Sequence, residues 1–400
     1  MTARSAAPGR LTATRRDKDQ VTPLELFFDL VFVLALTQCT ALMADVPSWQ
    51  GIAQAMLILG VLWWSWVGYA WLTSVVDPEE GVVRVTMFVA MAALLVAALC
   101  VPEAFGDLGL LFACVYAVVR VAHIALFVVA SRDDPSLRRS VRGLAISTAL
   151  GTGILVGASF ADDGLQAALW VLALALDMGG PAFFGAEGWR IKPEHFAERH
   201  GLIVIIALGE SIVAIGIGAE HGVDAWVVIA ATLGVAVAAA QWWLYFDVVA
   251  LVAARRLEQA APGREQNEIA RDSFSFLHFP MVAGIVLVAL GLKKTLGDTG
   301  EPLKVEVATA LLGGAALYLL AHVAFRWRNV HRFSRERLAA AVVAVALIPV
   351  ATEVDALATV AVLVALLVVL IAYERARFAE LRERLRHGAA EPEAPSAPAG

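Results

Sequence analysis

Charge is scarce in this sequence. Only 17% of its 400 residues are Asp, Glu, Lys or Arg, against roughly 25% in soluble domains, and that deficit excludes an ordinary soluble enzyme. The net charge of −6 is modest and gives no footing to a nucleic-acid partner. Cysteine is rare as well. Cys39, Cys100 and Cys114 have no metal-like spacing and lie in apolar stretches, so they read as core or helix-packing residues. The chain lacks a P-loop, a dinucleotide-binding fingerprint and a G-x-S-x-G nucleophile elbow. No early apolar run leads to a small-residue cleavage site, so no cleaved signal peptide is expected. Neither a cofactor nor a metal is implied.

What is abundant is apolar surface. Hydrophobic residues make up 60% of the chain and the mean hydropathy is +0.73. They fall into about a dozen blocks of roughly 20 residues, the length of helix that crosses a ~30 Å hydrocarbon core. The expected fold is an all-α integral membrane protein with about twelve transmembrane helices. The expected spans are 24–44, 49–73, 82–101, 108–130, 140–160, 164–184, 201–219, 224–250, 274–296, 303–325, 336–351 and 356–373. The eleventh is short and contains Pro349. With the N-terminus inside, 27 of the 31 Lys and Arg residues fall on cytoplasmic segments. The positive-inside rule therefore puts both termini in the cytoplasm of a plasma-membrane protein.

Residues 1–20 read as a disordered basic tail and 21–373 as the polytopic domain. Residues 374–400 read as a charged helix running out into a disordered tail. Some features recur halfway along. Met87–Leu99 is similar to Met281–Leu290, Ala122-His123 to Ala321-His322, and Trp63-Trp64 to Trp242-Trp243. They suggest two six-helix halves, 21–184 and 198–373, arranged as parallel repeats.

Three motifs carry a family resemblance. They are Thr22-Pro23-Leu24-Glu25-Leu26-Phe27-Phe28-Asp29, then Glu198-Arg199-His200-Gly201 leading to Ala207-Leu208-Gly209-Glu210-Ser211, and finally Trp242-Trp243-Leu244-Tyr245-Phe246-Asp247 followed by Leu277-His278-Phe279-Pro280. Together they resemble the bacterial low temperature requirement A (LtrA) family of multi-pass membrane proteins, over roughly residues 20–375. The family name implies a cold-growth phenotype. It implies no reaction, substrate or catalytic residue.

A charge inside a bilayer is costly, so intramembrane ionisable residues are site candidates by default. Glu210 lies deep in the seventh span between Gly209 and Ser211. Arg120 lies at matching depth in the fourth, with His123 three residues on and on the same face. These three are expected to meet in a midplane cluster, completed by Asp177, unless Glu210 and Arg120 form a purely structural pair. Asp177 precedes Met178-Gly179-Gly180-Pro181, which reads as a helix break or as the end of the span.

Asp29 shares a helix face with Glu25 one turn deeper. Glu25 itself fits a capping box with Thr22, and Pro23 takes the first helical position. Asp247, His278 and His200 are secondary candidates near the cytoplasmic face. Tyr245 and the tryptophan pair read as interface anchors. The segment Glu194-His195 to Glu198-Arg199-His200 has histidines five apart, unlike a zinc-protease helix, and reads as a solvated loop. Gly153 and Gly157 form a G-x-x-x-G, read as a close helix contact.

The functional expectation is a gradient-driven, proton-linked transporter or permease of a small solute, with the lipid bilayer as partner and the oligomeric state open. The alternatives are an intramembrane enzyme acting on a lipid or isoprenoid, with Asp29, Asp247, His278 and His200 around one cavity, or a channel or sensor in cold adaptation. An enzyme is the less favoured class.

Overall fold

The computed structural model describes residue 16 and residues 20–183, 188–219, 222 and 224–379, apart from the side chain of Asp163. Most of the amino-terminal tail and residues 380–400 lie outside the described residues. Those described form helices, with no β-strand among them and one isolated bridge between Pro302 and Asp355.

Helix starts follow from local chemistry. In α1 (Pro23–Asp45) the Thr22 hydroxyl accepts from the Glu25 amide and the Glu25 carboxylate accepts from the Thr22 amide. This is the capping box, with Pro23 where its missing N–H costs nothing. Ser48 caps α2 (Trp49–Val75) and Asp224 caps α8 (Ala225–Phe246) in the same way. Asp134 caps α5 (Pro135–Ala158). The Ser136 hydroxyl and the Ser136 and Leu137 amides hold the Asp134 carboxyl below the usual carboxylate range.

The remaining elements are α3 (Gly81–Cys100), α4 (Gly109–Ala130), α6 (Asp163–Phe183), α7 (Pro193–Gly218), α9 (Val249–Gln259), α10 (Arg264–Ile269) and α11 (His278–Gly297). They are followed by α12 (Val305–Ala308), α13 (Gly314–Val330), α14 (Arg335–Ala346), α15 (Ile348–Ala351) and α16 (Ala356–Arg377). Wide π-helical turns at Ala270–Phe276 and Thr309–Gly313 lead into α11 and α13.

Eleven of the helices, counting such joined segments as one, are long and apolar enough to cross a membrane. The twelfth crossing is the weak one of the sequence. Leu347 and Pro349 divide it into α14 and α15, neither of which would span alone. Its two ends are nonetheless fixed. Arg337 pairs with Glu374 at the end of α16, while the Ala356 and Leu357 amides donate to Glu301 and Thr299 at the opposite end of the bundle. Residues 335–351 therefore run from one end to the other. Alternation then brings both described ends of the chain to the same end of the bundle, here called the basic end. Large apolar side chains such as Val85, Val121, Phe160 and Val369 stay exposed around the outside, as a bilayer-embedded bundle requires.

In the first six crossings α1 packs on α2 and α3, α3 on α4, α4 on α5, α5 on α6, and α2 on α6. In the second six, α7 packs on α8 and α11, α11 on α13, α13 on α14, α14 on α16, and α8 on α16. These six pairs of neighbours correspond between the two sets, whereas α2 also packs on α4, and α8 on α11, without a comparable contact in the other set. Helices α1 and α7 also touch each other, as do α1 and α11.

Several expectations are corrected. A Cβ at Gly153 or Gly157 would meet nothing within 4 Å, so that G-x-x-x-G makes no close contact. The tight seam of α5 with α6 is one helix face away. There a Cβ on Gly151 would lie 2.9 Å from the Ala173 carbonyl, and Gly180 abuts Ser147. No break occurs at Asp177–Pro181: α6 is continuous to Phe183 and Pro181 sits in its last turn. The connection expected between spans 224–250 and 274–296 is largely helical, holding most of α9 and all of α10. Cys39 and Cys100 are buried, but Cys114 faces outward.

Candidate functional site

Two buried ionic networks lie in the basic half of the bundle. The first ties α1 to α2 and α7. The Glu25 carboxylate accepts from Arg16 at 3.1 Å and Arg199 at 3.1 Å, and pairs with His195 Nε2 at 2.8 Å. One turn deeper, Asp29 accepts from Arg199 at 2.6 Å and from the Trp66 indole at 2.8 Å. Arg199 also reaches the Thr73 hydroxyl, and Arg16 the Thr73 carbonyl. Two carboxylates meet two guanidinium groups, so the charges balance with His195 neutral. A fully buried, balanced and hydrogen-bonded set of this kind locks helices in register, and removing one member leaves an uncompensated charge.

This corrects the view of 194–200 as a solvated loop. His195, Arg199 and His200 are all fully buried in the first turns of α7. The charge density that suggests a loop is a helix start whose partners lie on α1. Arg16 likewise belongs to the network, although the residues around it lie outside those described.

The second network joins α4, α5 and α6. Arg120 donates to Asp177 at 2.7 Å and to the Thr148 hydroxyl at 2.8 Å. Thr148 donates to the same carboxylate oxygen at 2.9 Å, and Tyr116 donates to the other at 3.0 Å. The packed Gly151–Asp177 contact fixes the carboxylate in place. His123, one turn along α4, is also buried with the Gly68 backbone beside its ring, and neither ring nitrogen makes a hydrogen bond of good geometry.

Glu210 does not join this group. Its carboxylate accepts from the Thr37 hydroxyl of α1 at 2.5 Å. Helix α7 packs on α1, α8, α9 and α11 and more lightly on α2, whereas α4 packs on α2, α3 and α5. Matching depth did not mean matching position around the bundle. Of the secondary candidates, His200 meets the Trp66 indole, the donor to Asp29, edge-on at 5.0 Å. His200 and His278 stack edge-on at 5.1 Å, and His278 Nε2 meets the Tyr245 hydroxyl at 2.8 Å. Tyr245 is thus a buried hydrogen-bonding residue and not an interface anchor. Asp247 lies elsewhere, on a second cavity.

Between α2, α4, α5, α6 and the 270–276 turn lies a cavity of about 50 Å³. Arg120, His123, Trp64, Gly68, Arg271 and Ser275 are among the residues lining it, and none of the lining residues is Asp or Glu. Gly68 is required there: a Cβ would lie 2.9 Å from both Arg120 Nη1 and His123 Cε1. The Trp64 indole stacks face to face on Phe276 at 5.6 Å, and its N–H has no acceptor. Trp63 and Trp71 donate to the Ser275 carbonyl and hydroxyl, both at 2.9 Å, binding α2 to the π-turn. Such wide turns are frequent at functional sites.

The second cavity, about 560 Å³, lies between α8, α9, α13, α14 and α16 at the basic end. Trp243, Asp247, Arg326, Arg332, Arg337 and Glu374 line it among others. Among the described residues no group of His, Cys, Asp and Glu is placed to hold a metal.

Sequence reasoning missed Arg199, Trp66, Thr148, Tyr116 and Thr37. Arg199 carried a signal, since it sits in a motif with His200 just before an apolar run. The hydroxyl and indole partners carried none, because only the fold brings them to the carboxylates.

A family described as "Bacterial low temperature requirement A protein (LtrA)" matches this chain over residues 20–372. An uncharacterized protein of Rhizobium meliloti (strain 1021) is 34% identical over 310 residues, covering 74% of each chain. No solved structure matches.

Proposed function

The chain belongs to the bacterial low temperature requirement A family, and on that premise we propose that it is a gradient-driven, proton-linked transporter of a small solute. The observation that carries this reading is the cavity between α2, α4 and the 270–276 turn, lined among others by His123 and Trp64, whose ring nitrogens are buried. A buried polar group without a partner costs about 1–3 kcal/mol. Buried ring nitrogens on a cavity wall make sense where a bound species completes their hydrogen bonds.

Three further features support the proposal. The corresponding neighbours of the two sets of six crossings fit parallel halves, 21–184 and 198–373, and the cavity lies where α2 of the first meets the π-turn of the second. That is where rocking of one half against the other would open and close a site. Glu210 supplies a buried carboxylate beyond an apolar stretch of the α1–α7 seam, placed to respond to the opposite side. The concentration of Lys and Arg at the basic end fits a cytoplasmic location for both termini. The enzyme reading needed Asp29, Asp247, His278 and His200 around one cavity; Asp247 lines the second cavity, and the other three line neither.

The test is reconstitution of the purified protein in vesicles with an imposed pH gradient. The expected result is uptake of a small solute that collapses when a protonophore removes the gradient. A tight vesicle with no gradient-dependent flux of any small anion, cation or neutral solute would count against transport.

A further inference from the structure

The proposed transport site has a selective chemistry of its own. Each side chain on the α2–α4 cavity that can form a strong hydrogen bond offers a donor. The guanidinium groups of Arg120 and Arg271 carry only donors. The Trp64 indole N–H has no acceptor, and neither His123 ring nitrogen makes a hydrogen bond of good geometry, one of them being an N–H in either neutral tautomer. The Ser275 hydroxyl already accepts from Trp71. No carboxylate lines the space.

The carboxylates that balance the two arginines, Asp177 for Arg120 and Asp272 for Arg271, are not part of the lining. A cation entering the cavity would therefore find no anionic partner on the wall. The face of Trp64 is also taken, being stacked on Phe276, so the ring offers its positive edge and its N–H. An anion would instead find the guanidinium groups of Arg120 and Arg271, with no acid beside them on the wall.

Size narrows the class. About 50 Å³ exceeds the ~30 Å³ share of one water molecule and falls far below the 300–1,000 Å³ of drug-sized ligand sites. Gly68 sets this limit, since any side chain there would fill the space between Arg120 and His123.

We infer that this cavity binds a small anion, either the carboxylate group of a short organic acid or an inorganic anion of similar size, held by Trp64, His123, Arg120 and Arg271. The inference rests on the transporter reading only in naming the cargo, because binding can be measured without any gradient.

The test uses the full-length protein purified in detergent, titrated with sodium formate, acetate, chloride or nitrate at constant ionic strength, with sodium gluconate as the balancing salt. Binding is read from thermal stabilisation and from tryptophan fluorescence, since Trp64, Trp71 and Trp189 line the cavity. The expected result is saturable stabilisation by at least one small anion and none by gluconate. Formate and acetate against chloride and nitrate separate a carboxylate from an inorganic source. Trp64→Phe keeps the stacked ring and removes the donor, and should weaken binding about tenfold or more. Gly68→Ala should abolish it. Each variant is first shown to melt cooperatively without added anion.

Equal effects of gluconate and formate, or unchanged binding in both folded variants, would overturn the inference. Saturable anion binding with no flux in vesicles would support it and overturn the transport reading. Gradient-driven uptake of a cation, with no anion binding, would do the reverse.

Discussion

The two cavities occupy corresponding places in the two sets of six crossings and are built differently. The first lies among α2, α4, α5 and α6, the second among α8, α13, α14 and α16 with α9 beside it. Trp64 of the Trp63-Trp64 pair lines one and Trp243 of the Trp242-Trp243 pair lines the other. The first measures about 50 Å³ and the second about 560 Å³. In the first, the balancing carboxylates stand outside the lining, and Arg120 and Arg271 line the space with the His123 imidazole and the Ser275 hydroxyl. In the second, Glu374 lines the wall and takes both prongs of Arg337, at 2.7 and 2.8 Å, while Arg326 pairs with Glu336. Arg375 lies over the ring of Trp243 at 5.1 Å, so that indole face is already engaged by a cation. One wall has spent its ionic groups on each other. The other has no carboxylate on its wall, and each wall carries one buried indole N–H without a partner, Trp64 in the first and Trp243 in the second.

The largest expected effect separates the two walls by their ion pairs. Arg120→Gln leaves Asp177 buried with its charge uncompensated, a loss of about 3–5 kcal/mol. Asp177→Asn in the same chain should recover part of it. Arg337→Gln leaves Glu374 with its side chain 13% exposed at the end of the bundle, where water can reach it, and should cost less, about 1–3 kcal/mol. Unfolding midpoints of the purified variants give the comparison. An Arg337→Gln loss as large as that of Arg120→Gln would show that the two walls do not differ in burial in the way described.

How much of this could be read without the fold depends on whether the partner is local. The Thr22–Glu25 capping box is contained in four residues, and its reading from the sequence coincides with the geometry. The helices follow from blocks of apolar residues long enough to span. The eleventh block is ambiguous because Pro349 divides it, and only the pairing of its ends across the bundle makes it a crossing. Non-local partners were not legible. His195 and Arg199 find Glu25 some 170 residues away, and a sequence shows their charges without the acids that neutralise them. Glu210 and Arg120 have the same depth but different neighbours, because the hydrophobic pattern reports depth and says little about position around the bundle. The glycines fail for a related reason. Gly153 and Gly157 satisfy a spacing rule, but the face that meets α6 carries Gly151.

Glycine offers the next contrast. Gly68→Ala puts a methyl 2.9 Å from both Arg120 Nη1 and His123 Cε1. Solute uptake should be lost, while the melting midpoint falls by about 1–3 kcal/mol equivalent as the side chains shift. Gly153→Ala meets nothing within 4 Å. It should leave uptake unchanged and raise stability by up to about 1 kcal/mol, the helix propensity gained. Measuring uptake and melting on the same two preparations separates a blocked cavity from general damage. Uptake that survives Gly68→Ala would remove this cavity from the transport path.

The smallest expected effect on stability, and the most informative about coupling, is that of Glu210→Gln. Along α1 Glu25 and Asp29 share a face, and Thr37 lies about 80° further round the helix from Asp29. Thr37 is eight residues beyond Asp29, about 12 Å of helix, and the buried side chains between them are apolar: Phe32, Ala35 and Leu36 on α1, with Ile203, Val204 and Ala207 on α7. This stretch separates the balanced Glu25–Asp29 network from the Glu210–Thr37 pair. The first has its carboxylates neutralised by Arg16 and Arg199, so it can hold helices without changing charge. Glu210 is held by the Thr37 hydroxyl and has no ion-pair partner among the described residues. Its charge is the one free to change without breaking an ion pair. Gln keeps an oxygen for the Thr37 hydroxyl, so the melting midpoint should move by no more than about 1 kcal/mol. Uptake driven by a pH gradient should fall to the level seen with a protonophore, while exchange of solute across the vesicle at equal pH persists. Full gradient-driven uptake in Glu210→Gln would show that the proton is carried elsewhere. A loss of stability comparable to that of Arg120→Gln would make Glu210 a structural residue of the α1–α7 seam.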